Sequence, residues 1–362
     1  MSCSNLKSVN LPKSLTALSS EMFIACRNLE GLKIPSNLID IGEGALGGCI
    51  KLDNIDVSEN NNFIFEDNML YSKDYKTLYA VTGSPSSIKI NNLTEKIQSK
   101  AMSGITTIKE VYISENVKEL GTENPLGASK LEKLEVDEKN EYFVSEDNDL
   151  YSKNHEILYK CNKIGDVKVR EGVKQVIRGT FLSDVTSLEL PNSLESIKGW
   201  STIPGKVKYL YIPSNVKEIE IPALGASLTE IEIASDNEYY KSVNNKYILS
   251  KNGDTLYFVT KNVENIDEMP DSIKIIKSYA FWGCNNLENI VLKNGIEELG
   301  PAAFYNMKKL TRVEIPSSIK SIQSTAFTGA VNLKEIIIHK KKGEITGAPW
   351  GAVYGDRAIT YI

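Results

Sequence analysis

The side chains able to do chemistry are sparse in this chain and badly spaced for it. There are two histidines, His155 and His339, and neither has a cysteine or carboxylate at metal-ligand spacing. No Gly-x-Ser-x-Gly elbow, phosphate loop or dinucleotide fingerprint occurs. The clusters Glu66-Asp67-Asn68 and Glu146-Asp147-Asn148 have the composition of calcium ligands. They lack the alternating loop and closing glutamate of a helix-loop-helix calcium site, so turn residues are the better reading. No catalytic residue, bound metal or cofactor is expected.

The cysteines are five, an odd number. Cys3, Cys26 and Cys49 are each 23 apart, and Cys284 holds the same place in its own segment. A disulfide between stacked neighbours is conceivable. The expectation is reduced thiols filling a narrow core position, because Met307 and Ala330 stand near that place elsewhere.

What positions these residues is a repeat. The phrase Ile-Pro-Ser-Asn-Leu-Ile-Asp-Ile at 34–41 returns as Ile-Pro-Ser-Asn-Val-Lys-Glu-Ile at 212–219 and Ile-Pro-Ser-Ser-Ile-Lys-Ser-Ile at 315–322. Looser copies begin at Leu11, Ile90, Ile113, Val169, Leu190, Met269 and Leu292. Successive starts lie 23, 56, 23, 56, 21, 22, 57, 23 and 23 residues apart, a period that means a solenoid. In Leu29 to Ile34 the pattern L-x-x-L-x-L ends in a strand alternation, and Pro35 stops the strand. Leu38 and Ile41 turn the chain, and Ala45-Leu46, like Ala280-Phe281, plugs the core behind the strand.

The expected fold is a mainly β repeat solenoid with a parallel β-sheet, about 14 coils of about 23 residues. The longer gaps hold short apolar-aromatic runs around a polar turn, which predicts β-hairpin inserts at 67–81, 147–161 and 245–259. Tyr79, Tyr159 and Tyr257 share one place in these inserts. They either pack on the adjoining coil or form a surface row; packing is expected, since a lone hairpin needs a face to dock. The coil at 200–205, beginning Trp200-Ser-Thr-Ile, has lost the motif. Residues 1–339 are read as the solenoid. Residues 340–362, with Pro349-Trp350-Gly351 before a short closing strand, are read as a capping segment in which Trp350 covers the last coil.

With the repeat in place, one face offers contact chemistry. The outward residues of successive strands are Lys33, Asp56, Tyr112, Glu135, Glu189, Tyr211, Glu232, Val291, Glu314 and Ile337. The middle of this row mixes tyrosine with carboxylate, and solenoids commonly bind along such a face. The candidate binding residues are Tyr112, Glu135, Glu189, Tyr211 and Glu232.

The sentence I-P-x-x-[LVI]-x-x-I-G-x-x-A-F-x-x-C and the Leu70-Tyr71-Ser72-Lys73-Asp74 insert resemble the BspA-like (Treponema pallidum-type) leucine-rich repeats over residues 3–339. The resemblance implies no enzyme, but a secreted or surface-attached bacterial protein acting in adhesion to host matrix or other cells. The partner is expected to be a protein or glycan, and the chain a monomer. A formal charge of −5 argues against nucleic acid. No apolar run reaches the length that spans a membrane. Cys3-Ser4-Asn5-Leu6 matches Cys26-Arg27-Asn28-Leu29, so the chain starts in mid-repeat. It is expected to be a fragment with Met1 supplied for expression. The competing readings are a targeting module of a larger enzyme and a receptor-binding part of a phage-tail-like assembly.

Overall fold

A computed structural model describes residues 3–127, 129–225 and 227–362. Met1, expected to be an added start residue, lies outside them. The chain is a mainly β solenoid of about 15 turns with almost no helix. It divides into two compact units, Met1–Ile164 with Gly172–Asp184 and Gly165–Glu171 with Val185–Ile362. No helix among the described residues is long and apolar enough to cross a membrane.

Most turns carry two strands, one more than the period suggests. The first is the expected one. In the first unit Gly31–Lys33 pairs in parallel with Asn54–Asp56, and Glu110–Ile113 lies between Ser87–Lys89 and Lys133–Val136. In the second, Asn289–Val291, Arg312–Ile315, Glu335–Ile338 and Ile359–Tyr361 form one parallel ladder. The extra strand is only two residues long. Asp40–Ile41 pairs with Ala17–Leu18, and Ile275–Ile276 leads through Glu298–Leu299 to Ser321–Ile322. The Leu38 to Ile41 segment therefore does more than turn the chain. Leu38 and Ile41 point into the core, while Ile39 and Asp40 face out.

The proline phrase builds the bend between these strands. Leu38 N–H donates to the Pro35 carbonyl, and Leu15, Leu194, Val216 and Ile319 repeat that turn on Pro12, Pro191, Pro213 and Pro316. The asparagine of the phrase stitches coils together. Asn37, Asn116 and Asn215 each donate Nδ2 to a carbonyl of the preceding coil, at 3.0, 2.7 and 2.8 Å. Behind the strands the core gathers into successive clusters, among them Leu18 to Ala80 and Met69 to Leu150 in the first unit and Tyr247 to Ala352 in the second. Phe281, Phe304 and Phe327 stack with centroids 5.1 and 5.3 Å apart. Cys26, Cys49, Cys161 and Cys284 are buried, and no disulfide forms among the described residues; Cys3, in contrast to the buried-thiol expectation, is exposed.

The inserts are three-stranded meanders, wider than the hairpins at 67–81, 147–161 and 245–259. Phe63–Glu66 precedes the hairpin of Met69–Ser72 and Thr77–Val81, all antiparallel. The third strand then joins the two-residue ladder in parallel, as Thr77–Val81 does with Lys96–Ile97. One buried asparagine launches each insert. Asn140 donates Nδ2 to the Ser114 and Val117 carbonyls at 2.8 and 2.9 Å and accepts from the N–H groups of Tyr142 and Phe143. Asn60 and Asn237 hold the same place. The insert tyrosines pack: Tyr79 meets Phe63, Tyr159 meets Phe143 and Tyr257 meets Tyr240, with centroids 5.5, 5.4 and 5.2 Å apart and rings nearly perpendicular.

In the tail, Trp350 is fully buried, donates Nε1 to the Thr346 carbonyl at 2.9 Å, and accepts the Phe327 N–H on its own carbonyl.

Candidate functional site

The outward strand face is built by the alternation of the longer strands, and its residues meet across coils. In the first unit Tyr112 stands in register with Lys89 on one side and Glu135 on the other. Its hydroxyl donates to Asp137 Oδ2 at 2.5 Å, and Lys89 Nζ sits 5.8 Å from its ring centroid. That hydrogen bond is the main cause that holds the Asp137 carboxyl down and pushes the Tyr112 phenol up. Shallow hollows of about 400 Å³ lie on both sides of Tyr112, one bordered by Glu135 and Asp137, the other by Lys89 and Glu110.

In the second unit Tyr209–Ile212 pairs with Glu230–Ile233, which places Tyr209 opposite Glu230 and Tyr211 opposite Glu232. Tyr209 and Tyr211 are 46% and 40% exposed, large for a pair on one strand. The Tyr209 hydroxyl donates to Glu232 Oε2 at 2.9 Å. Desolvation first, then Glu232, pushes the Tyr209 phenol up to about 12. Of the five candidates, the structure thus juxtaposes Tyr112 with Glu135, and Tyr211 with Glu232. Glu189 stands opposite Lys168 and forms an ion pair with it at 2.5 Å.

The acidity read along this face is largely balanced. Lys133 pairs with Glu135 at 2.8 Å, and Lys33 with Glu59 at 2.7 Å. Glu314 accepts from Arg312 and from His339 Nε2 at 2.5 and 2.7 Å, which lowers its carboxyl, His339 foremost. His155 likewise meets Glu146 at 3.0 Å. Folding brings each histidine a carboxylate that sequence spacing did not show. Asp67, Asn68, Asp147 and Asn148 adopt left-handed backbone in the turns between the first two insert strands. No group of three or more His, Cys, Asp or Glu side chains able to hold a metal occurs among the described residues.

A second surface lies at the corner three residues past each two-residue strand. In the first unit this corner is charged. Lys100 contacts both Glu21 and, at 2.6 Å, Glu123, which in turn binds Arg178 at 2.7 Å. Gly44 occupies the same corner, and a Cβ there would stand 2.9 Å from the Lys100 side chain. Its lack of a side chain leaves the lysine room. In the second unit the corner is aromatic. Trp200 lies 5.2 Å from Tyr279 and 5.4 Å from Trp282, and Tyr279 lies 5.5 Å from Tyr305, all edge-to-face. The coil of Trp200, read as having lost the motif, keeps the corner and changes its chemistry.

The repeat matches the family described as BspA type Leucine rich repeat region, in 6 copies over residues 1–81, 73–151, 144–229 and 253–349. No curated protein matches. Similar solved structures include a leucine-rich repeat protein from Eubacterium ventriosum, at 18% identity and TM-score 0.45, covering 96% of this chain and 83% of that one. Another is a leucine rich cell surface protein from Faecalibacterium prausnitzii, at 18% identity and TM-score 0.34, covering 94% and 89%. The pneumococcal vaccine antigen PcpA shares 15% identity at TM-score 0.34, covering 96% of this chain and 71% of PcpA. The proline-asparagine turn, the parallel ladders and the family match over most of the chain agree: this chain belongs to the BspA type leucine-rich repeat family.

Proposed function

We propose that this chain is a non-enzymatic adhesion or ligand-binding protein, displayed outside the cell or at its surface, that offers its outward strand face to a protein or glycan. The observation that carries the reading is the exposed pair Tyr209 and Tyr211 beside Glu232. Tyrosine gives large contact area at small entropic cost, and the Glu232 hydrogen bond already holds one of the two rings in place. Tyr112, braced by Asp137 and flanked by two hollows, is the corresponding feature of the first unit. Family membership supports the extracellular setting and the absence of catalysis.

A binding screen of the whole chain against immobilised matrix proteins, mucins and bacterial glycans supplies the ligand. Tyr209→Ala with Tyr211→Ala should then weaken binding by more than about 1 kcal/mol, as aromatic anchors do. Glu135→Gln and Glu232→Gln should change association rate and salt dependence more than the dissociation rate. A double tyrosine variant that folds and binds like the parent would remove the strand face from consideration.

A further inference from the structure

The aromatic corner of the second unit is not part of the strand face. The fold imposes a left-handed backbone there: φ is +59° at Glu21, +62° at Lys100 and +54° at Ala302. Glycine suits such a position, as at Gly44, and a bulky side chain strains it. Tyr279 nevertheless occupies it, at φ +62°. The ring is not there for the backbone's sake. Nor is it core, because Phe281 two residues on fills the interior, while Tyr279, Trp282 and Tyr305 are only half-buried and Trp200 is 39% exposed.

A groove of about 380 Å³ opens beside this row, near the small end of the range for ligand sites, roughly 300–1,000 Å³. Pro222, Tyr257 and Tyr279 give it an apolar lining, and Glu220, Lys277 and Ser278 supply its polar groups. The walls are pre-set. Glu220 Oε2 accepts the Gly199 N–H at 2.7 Å, and Ser201 N–H donates to the Pro222 carbonyl at 2.7 Å, so the loop presenting Trp200 is tied on both sides. Tyr257 is braced edge-on by Tyr240.

We infer that this corner is a saccharide-binding site for neutral sugars, distinct from the strand face and independent of what that face binds. A pyranose ring has a face of C–H groups, which stacks on the negative face of an aromatic ring, and a rim of hydroxyls that both donate and accept. Glu220 accepts, Lys277 donates and Ser278 does either, so the polar groups match that rim. One carboxylate beside one ammonium leaves the groove without net charge, which favours an uncharged ligand over phosphate or acidic glycan. A peptide adding as a strand would need free main-chain groups. Here main-chain groups of the lining are already engaged by neighbouring coils: Glu220 N–H donates to the Ile197 carbonyl and Lys277 N–H to the Leu256 carbonyl.

Two of the three tryptophans, Trp200 and Trp282, sit in the row, and the third, Trp350, is fully buried. Intrinsic fluorescence therefore reads this site. The whole chain is titrated with cellohexaose, maltohexaose, mannohexaose and chitohexaose to about 10 mM, with poly-L-proline as the rival ligand. At least one saccharide should give a saturable change and shield the tryptophans from acrylamide. Trp200→Ala and Tyr279→Gly should each weaken that binding about tenfold, the effect of losing one ring contact. Glycine relieves the left-handed strain at 279, which offsets part of the stability lost with the contacts to Trp200 and Tyr305, and far-UV circular dichroism checks that each variant is folded. Tyr142→Ala, exposed on the first unit, should bind as the parent does. The inference fails if no saccharide binds, if poly-L-proline alone binds, or if folded Trp200→Ala and Tyr279→Gly both retain full affinity.

Discussion

The two units use one corner for opposite purposes. In the first, Glu21, Lys100, Glu123 and Arg178 close a line of ion pairs over Gly44, and the charges satisfy one another. In the second, Trp200, Tyr279, Trp282 and Tyr305 meet only as rings, and their remaining surface faces water. A left-handed residue recurs in both, at Glu21, Gly44 and Lys100 in the first and at Tyr279 and Ala302 in the second. The difference teaches that this repeat separates scaffold from surface: the corner can turn from a self-paired seam into an open aromatic shelf without touching the core behind it.

That separation can be broken at the scaffold. If the units share one framework, Asn140→Ala in the first and Asn237→Ala in the second should cost alike. Each removes two buried donations and two acceptances, about 3 kcal/mol by the cost of stranded buried groups. Denaturant midpoints measure it, and a large shift in one unit only would mean that the inserts are held differently.

A buried charge sharpens the contrast next. Lys160 is 1% exposed, bonds the Gly127 carbonyl at 2.7 Å, and occupies the insert position that Phe258 holds in the second unit. Burial pushes its ammonium down to about 8 from 10.5. The folded state thus sheds this proton before the unfolded state does. Stability from this group is therefore lowest below about pH 8 and rises up to about pH 10.5, by roughly 3 kcal/mol. Cys161, its thiol pushed up to about 11 by burial, acts in the opposite sense above pH 9. Comparing the parent with Lys160→Met isolates the lysine: the rise should vanish in the variant, and its survival would assign it elsewhere.

At the corners themselves, Lys100→Met should cost about 1 kcal/mol at low salt and less as salt rises, since its partners are partly exposed. Tyr279→Gly should show no such salt dependence. Equal salt responses would erase the distinction between seam and shelf. The smallest effect concerns thiols: the folded protein should react at Cys3 alone and the unfolded protein at all five, while Cys26→Ala and Cys284→Ala should each cost on the order of 1 kcal/mol.

The fold was legible because the period is carried by many residues at once. The Ile-Pro-Ser-Asn phrase marks strand end and turn, and the Ala-Phe pair marks the core, so single departures such as Ala101-Met102 did no harm. Single-residue devices were not legible. Asn60, Asn140 and Asn237 recur as N-x-x-[FY] at the mouth of each insert, a signal that only comparison of the three inserts exposes. The two-residue ladder was hidden because Leu38 and Ile41, three apart, read as a turn. On the strand face, counting one outward residue per strand caught Tyr211 and missed Tyr209. The same count took Glu135 and Glu189 as free charge, because the lysines that balance them, Lys133 and Lys168, lie beside them only after stacking or strand alternation. Trp200 escaped for the opposite reason: its coil lacks the motif that would have drawn the eye to its corner.

The asparagine stitches carry a further consequence, for how such a chain can change length. Asn37, Asn116 and Asn215 each reach only the coil before their own. Excising one whole 23-residue period, such as residues 292–314, removes one rung and lets its neighbours clasp each other with identical partners. Excising a single residue inside a strand turns every following side chain in that strand to the wrong face. Such a chain is modular in units of a coil and rigid in units of a residue. Whole-coil insertions and deletions are therefore the changes through which its outward face can be lengthened, shortened or re-spaced while the fold endures.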